Sequence, residues 1–125
     1  MTRHLLSWAP AILWAALLFF FSAQSDLPGA GLFPLSDKAA HALMFGIFGL
    51  ALAWGSRNIS GKRELAGLIL LGVLFAASDE WHQAFVPRRQ PSPGDFLADV
   101  AGLVCGFVMA RMLLKRRSCR DSEDL

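Results

Sequence analysis

The 125-residue chain predicts an all-α fold, a four-helix transmembrane bundle with both termini cytoplasmic, folded as a single domain over residues 1–125. Three observations lead there. Apolar residues make up 54% of the chain before its 11 glycines are counted, and charged residues make up 18%. A soluble domain has about 45–50% apolar residues with glycine included and about 25% charged. The excess is concentrated in four stretches, Leu5 to Ala23, Ala39 to Gly55, Leu65 to Phe85 and Phe96 to Leu114, whose only charged residues are Asp79, Glu80, Asp99 and Arg111. The net charge of +2 comes from separated clusters and not from one basic face. An ordinary soluble domain, a disordered chain and a nucleic-acid-binding module are thereby excluded.

The four stretches predict helices at about 5–23, 37–55, 65–85 and 93–114, with a basic tail over 115–125. Crossing a hydrocarbon core about 30 Å thick takes about 17–25 apolar residues, because a spanning helix satisfies its own backbone polar groups. The first stretch resembles a signal peptide, with Arg3 ahead of it and Ala23-Gln24-Ser25 as a small-x-small site. Its apolar run exceeds the usual 7–15 or so residues, and Trp8 and Trp14 suit a retained helix better. Ser36 is a natural N-cap for the second helix, which would then begin at Asp37. A polar turn around Gly61 precedes the third, which Pro87 ends. Ser92-Pro93-Gly94-Asp95 opens the fourth as a capping pattern with proline in the first helical position.

Other features read as membrane architecture. The run Phe19-Phe20-Phe21 and the four tryptophans suit lipid contact and interfacial anchoring. Gly102-x-x-x-Gly106 permits close helix approach but is a weak signal for a dimer in so glycine-rich a chain, and it leaves the oligomeric state open. Cys105 and Cys119 stand about 21 Å apart if helix joins them, too far for a disulfide.

Orientation follows from lysine and arginine, which collect on the cytoplasmic side. The N-terminus, second loop and C-terminus carry Arg3, Arg57, Lys62, Arg63, Arg111, Lys115, Arg116, Arg117 and Arg120, whereas the first and third loops carry only Lys38, Arg88 and Arg89. A multi-pass protein of the cell membrane, with its first and third loops outside, is expected.

Ionisable residues inside a span each cost about 2.5–3.5 kcal/mol on insertion scales and usually face a protein interior or a wet cavity. Asp37 and His41 lie four apart at the start of the second helix, as do Asp79 and Gln83 near the end of the third and Asp95 and Asp99 at the start of the fourth. Residues four apart share a helix face. Because helix direction alternates, these groups and Glu80 should converge at one membrane face, the outer one by the charge count. Neighbouring carboxylates in a low dielectric need a cation or a donor, so one of Asp79, Glu80 and Asp99 is expected to carry a proton or a partner. Such a site suits acid–base chemistry, a divalent metal or an anionic headgroup beside arginine, and spacing alone does not choose among them.

Each residue also has a structural reading. Asp37 and Asp95 suit helix caps, His41 and Gln83 suit interhelical hydrogen bonding, and Arg88 and His82 suit the interface. The common depth of His41, Asp79 and Glu80 favours a site, with Glu80 as its foremost member.

The order of these residues carries a resemblance. Ser36-Asp37-Lys38-Ala39-Ala40-His41 with Phe45, followed by Asp79-Glu80-Trp81-His82-Gln83-Ala84-Phe85-Val86-Pro87-Arg88-Arg89 with Ser92, Asp95 and Gly102, resembles the VanZ-like family over roughly two thirds of the chain. The resemblance implies a small multi-helix membrane protein, related to one linked to teicoplanin resistance and grouped with proteins suggested to act on lipid headgroups or lipid-linked carriers. Carried over by position, the S-D-K-x-x-H motif supplies Asp37, Lys38 and His41, the D-E-x-x-Q motif supplies Asp79, Glu80 and Gln83, and the following segments supply Pro87, Arg89, Asp95, Asp99 and Gly102. Two positions depart from the family pattern. Arg88 stands where glycine is common, and Asp99 stands where asparagine is usual.

The expectation is therefore a protein that acts on or recognises a phosphate-containing lipid headgroup or a lipid-linked carrier at the outer face, with a possible link to glycopeptide resistance. Glu80, Asp79, His41 and Asp99 are the candidate catalytic residues, and Lys38, Arg89, Gln83, Asp37 and Asp95 the candidate substrate-binding residues. A divalent metal is compatible with the carboxylates, although no ligand spacing of known type requires one. Two alternatives remain, a non-catalytic accessory protein that binds lipid or glycopeptide, and a small proton-linked transporter using Asp79 and Asp99.

Overall fold

The computed structural model describes residues 5–25 and 36–123, and among these residues it contains four helices and no strand. They are α1 (Ala9–Ser22), α2 (Ser36–Gly55), α3 (Lys62–Gln83) and α4 (Pro93–Glu123). Three of them, α2, α3 and α4, are long and apolar enough to cross a membrane, whereas α1 is apolar but only 14 residues long. At 1.5 Å per residue α1 reaches about 21 Å, short of a hydrocarbon core about 30 Å thick. The expected 5–23 helix is thus interrupted. Pro10 lies in the first turn of α1, and proline lacks the N–H and the clearance that would let a helix run through from residue 5. Ser7 and Trp8 form a turn there, with the Trp8 amide donating to the Leu5 carbonyl at 3.1 Å.

The start of α4 shows the capping chemistry expected with one difference, and its far end shows another. Ser92 caps α4, its carbonyl accepting from Asp95 and Phe96 and its hydroxyl from the Gly94 amide at 3.2 Å. A full capping box would also turn the Asp95 carboxylate back to the Ser92 amide. Here Asp95 bonds Lys38 instead, and the Ser92 amide is left for another acceptor. At the other end, α4 continues to Glu123. The segment expected as a basic tail from 115 contains no glycine or proline, and its lysine and arginines are good helix formers whose charge suits a helix C-terminus. Cys105 and Cys119 are both exposed on this helix, and no disulfide joins them. Residues 26–35, the body of the expected first loop, lie outside the described residues.

Packing centres on α2 and α4, which run parallel. Lys38 meets Asp95, His41 meets Asp99, Ala42 meets Gly102, Gly46 meets Gly106, and Ser56 meets Arg111. Without a hydrophobic driving force in lipid, spanning helices associate through close van der Waals contact, which small residues allow. A Cβ on Gly102 would strike the Ala42 carbonyl, one on Gly106 the Gly46 carbonyl, and one on Gly49 the Leu103 carbonyl. The Gly102-x-x-x-Gly106 stripe is therefore used within the chain.

The first helix runs antiparallel to α2. Trp8 lies over Gly55, and the Trp14 indole donates to the Met44 carbonyl at 2.8 Å. These two tryptophans bind helix to helix, while Trp54 and Trp81 are exposed. Phe19, expected to face lipid, is half-exposed and also stacks on His82 with ring centroids 4.5 Å apart. Below the polar residues, Phe45, Phe48 and Phe75 form an aromatic layer, and Leu52, Ala53, Leu103 and Phe107 continue the core.

The end of the bundle opposite the polar cluster is held by Arg111. Its guanidinium donates to the Ser56 and Ile59 carbonyls at 2.8 and 2.7 Å, fastening the α2–α3 connection to α4. These carbonyls lie at and beyond the C-terminal end of α2, where a cation is favourable. Arg111→Ala should lower the thermal midpoint by an amount equivalent to about 1.5–3 kcal/mol, the worth of hydrogen bonding to a charged group. Arg111→Lys should recover less than half of that, because a point cation cannot serve both carbonyls as the planar fork does. Thermal unfolding of the three detergent-solubilised proteins checks this.

Candidate functional site

Three helices deliver the polar cluster to one end of the bundle. The start of α2 supplies Asp37, Lys38 and His41, the end of α3 supplies Asp79, Glu80 and Gln83, and the start of α4 supplies Asp95 and Asp99. His41, Asp79, Glu80, Gln83, Asp95 and Asp99 are all buried, Asp99 completely.

The centre is a triad drawn from α2, α3 and α4. His41 Nδ1 lies 2.8 Å from Asp99 Oδ1 and 3.9 Å from Glu80 Oε1, so one ring nitrogen faces two carboxylates. The opposite nitrogen, Nε2, lies 4.0 Å from Asp37 Oδ1, whose side chain is nearly half-exposed. Glu80 is fixed from its other side by the Ser92 amide, which donates to Oε2 at 3.1 Å. That amide is the one released when Asp95 left the capping box for Lys38.

Two pairs flank the triad. Lys38 Nζ and Asp95 Oδ1 are 2.7 Å apart and tie the first turn of α2 to that of α4. Gln83 donates to Asp79 Oδ2 at 3.2 Å along one face of α3. Ser22, at the end of α1, is buried beside Asp79 and brings α1 to the cluster as well. Among the described residues Arg89 makes no ion pair, and its Nε is buried without a partner. Its backbone belongs to the turn closed by the Arg89 amide and the Val86 carbonyl, three residues before Ser92.

The structure thus brings His41, Glu80 and Asp99 into mutual reach, with Asp37 beside them, and pairs Lys38 with Asp95 and Gln83 with Asp79. No described contact joins Arg89 to the triad. Ser22 and the Ser92 amide were missed in the sequence. A serine at the end of an apolar helix carries little signal, and a backbone donor carries none. Arg88 has φ 64°, a left-handed backbone that glycine adopts without strain and other residues adopt at a cost. The glycine that the resemblance implies for this position would have a conformational reason in this turn.

Chemically, the cluster holds more acceptors than donors. Asp79 Oδ1, Glu80 Oε1 and Asp99 Oδ2 are buried without a hydrogen-bond partner. Buried carboxylate oxygens without a donor are costly to keep. A histidine whose Nδ1 is held by a carboxylate has its ring orientation set and its other nitrogen left to exchange a proton. The arrangement is equipped for proton transfer, and its spare oxygens can take a proton, a cation or a donor from a ligand.

Comparison with known proteins gives one finding. The family described as VanZ/LLP1 matches residues 7–115, a span that includes every residue of the cluster. No curated protein and no solved structure matches the chain.

Proposed function

The chain belongs to the VanZ/LLP1 family, and from that premise we propose that it is a multi-pass membrane protein that acts on a phosphate-containing lipid headgroup or lipid-linked carrier at the outer membrane face. The observation that carries this reading is the buried contact of His41 with Asp99 and Glu80 at the end of the bundle that carries the α3–α4 connection. In it Asp99 orients the imidazole, His41 transfers a proton, and Glu80, with Oε1 free of a donor, serves as base or nucleophile. Asp79, Gln83 and Ser22 shape the adjoining wall. The excess of lysine and arginine at the other end supports an outer location for the cluster.

The cations divide their roles. Lys38 is already paired with Asp95 and holds α2 against α4, so Arg89 is the cation left to meet phosphate, with the bidentate geometry guanidinium offers. Two observations weigh against the transporter alternative. The acids lie at one end, and the Phe45, Phe48 and Phe75 layer separates them from Arg111. Binding to vesicles of phosphatidylglycerol, of a polyprenyl phosphate mixed into neutral lipid, and of phosphate-free glycolipid tests the division. Arg89→Ala should weaken the phosphate-dependent component by at least ~10-fold, the worth of one charge-assisted bond. Lys38→Ala should chiefly lower thermal stability. Equal binding to all three vesicles would remove phosphate from the proposal.

A further inference from the structure

We propose that His41, Glu80 and Asp99 form a binding site for a divalent first-row metal ion, of the zinc or manganese class. The inference rests on the functional reading above and changes its chemistry: with a metal bound, Glu80 and Asp99 act as ligands in place of base and orienting group. One ligand atom from each residue lies within 4.8 Å of the others, and all three residues are buried. The edges from His41 Nδ1 are 2.8 Å to Asp99 Oδ1 and 3.9 Å to Glu80 Oε1. Bonds of about 2.0–2.2 Å to nitrogen and oxygen require ligand–ligand edges of about 3.0–3.5 Å; the two edges from His41 Nδ1 fall on either side of that range, and the carboxylate–carboxylate edge lies within 4.8 Å.

The orphaned oxygens are the independent sign of a missing partner. Glu80 is 7% exposed and Asp99 0% exposed, and each keeps one carboxylate oxygen, Oε1 and Oδ2, without any donor. Of these, Glu80 Oε1 is the atom that faces His41 Nδ1. A doubly charged cation would neutralise the two carboxylates and give Glu80 Oε1 the partner it lacks. One imidazole and two carboxylates form a mixed set suited to zinc or manganese better than to magnesium, which prefers oxygen ligands and retains water. Three protein ligands also leave a position open for a water or a phosphate oxygen, as catalytic sites do.

The surroundings support this choice of site. With Nδ1 on the metal, the His41 proton sits on Nε2, and Asp37 Oδ1 at 4.0 Å stands just beyond hydrogen-bond distance of it. A carboxylate in that place orients metal-binding histidines. The Ser92 amide holds Glu80 Oε2 and leaves Oε1 free for the ion. A second grouping, Asp37, His41 and Asp95, is less suitable, because Lys38 already neutralises Asp95 and Asp37 is exposed.

The test uses the full chain in detergent, stripped with a chelator, desalted and offered zinc or manganese, with magnesium for comparison. Elemental analysis should find about one zinc or manganese per chain, with a rise in thermal midpoint. Glu80→Gln and Asp99→Asn should each lower metal affinity by at least ~10-fold, while Glu64→Gln, at the far end of α3, should match the original. Asparagine keeps an oxygen for the His41 ring, so a folded Asp99→Asn chain, verified by circular dichroism, is the decisive variant. Absence of bound metal together with no midpoint shift overturns the site, and so does equal binding by all four proteins. Unchanged lipid turnover by the stripped protein would likewise overturn it, while leaving the acid–base reading standing.

Discussion

Gly102→Val will separate α2 from α4 and lower the thermal midpoint by about 10 °C or more, corresponding to at least ~3 kcal/mol. The cause is a collision with backbone, which cannot rotate away. A Cβ at residue 102 points into the Ala42 carbonyl, and the neighbouring crossing of Gly106 with Gly46 is equally close. Ala42 adjoins His41, and residue 102 lies one turn below Asp99, so the same displacement pulls apart the 2.8 Å contact between His41 and Asp99. Stability and function should fall together. Gly67→Ala is the matched control, because a Cβ there meets nothing within 4 Å. It should leave the midpoint unchanged or raise it, since alanine is the better helix former by about 1 kcal/mol. Equal midpoints for Gly102→Val and the original chain would mean that α2 and α4 are not in contact at this point.

Glu80→Gln has the second large effect, and it should fall on turnover instead of folding. The glutamine carbonyl can accept the Ser92 amide as Glu80 Oε2 does at 3.1 Å, so the α3–α4 connection stays in place. What is lost is a group that can accept a proton or attack. General acid–base catalysis by one positioned group contributes about 10²–10⁴-fold, and turnover of the lipid should fall by that order. Phosphate-dependent vesicle binding by the chelator-stripped protein, assigned to Arg89, should change little. A purely binding protein behaves differently, showing graded changes in affinity and no turnover to lose.

Much of the bundle could be read from the sequence because charge exclusion and helix period act over long windows. Four apolar stretches gave four helices, and the spacing of Asp37 with His41, Asp79 with Gln83 and Asp95 with Asp99 placed each set on one face. Where tertiary contact decides, the sequence was silent. Asp95 has two acceptable partners, the Ser92 amide and Lys38, and only the approach of α2 to α4 selects Lys38. That selection releases the Ser92 amide to Glu80, a link invisible in any motif. Pro10 did carry a local signal, since it marks the break that leaves α1 as a 14-residue helix. The continuation of α4 past residue 114 was also legible in its helix-forming residues, but the dense positive charge favoured reading a tail. Gly102 and Gly106 marked a close helix contact whose partner, α2 of the same chain, the sequence could not name.

Action on a phosphate-containing lipid is tested most directly by comparative lipid analysis of membranes from cells carrying the original chain and cells carrying Glu80→Gln at equal abundance. Mass spectrometry should find one phosphate-bearing headgroup or lipid-linked species whose conversion depends on Glu80, with substrate accumulating and product lost in the variant. Identical lipid profiles in the two membranes would contradict it.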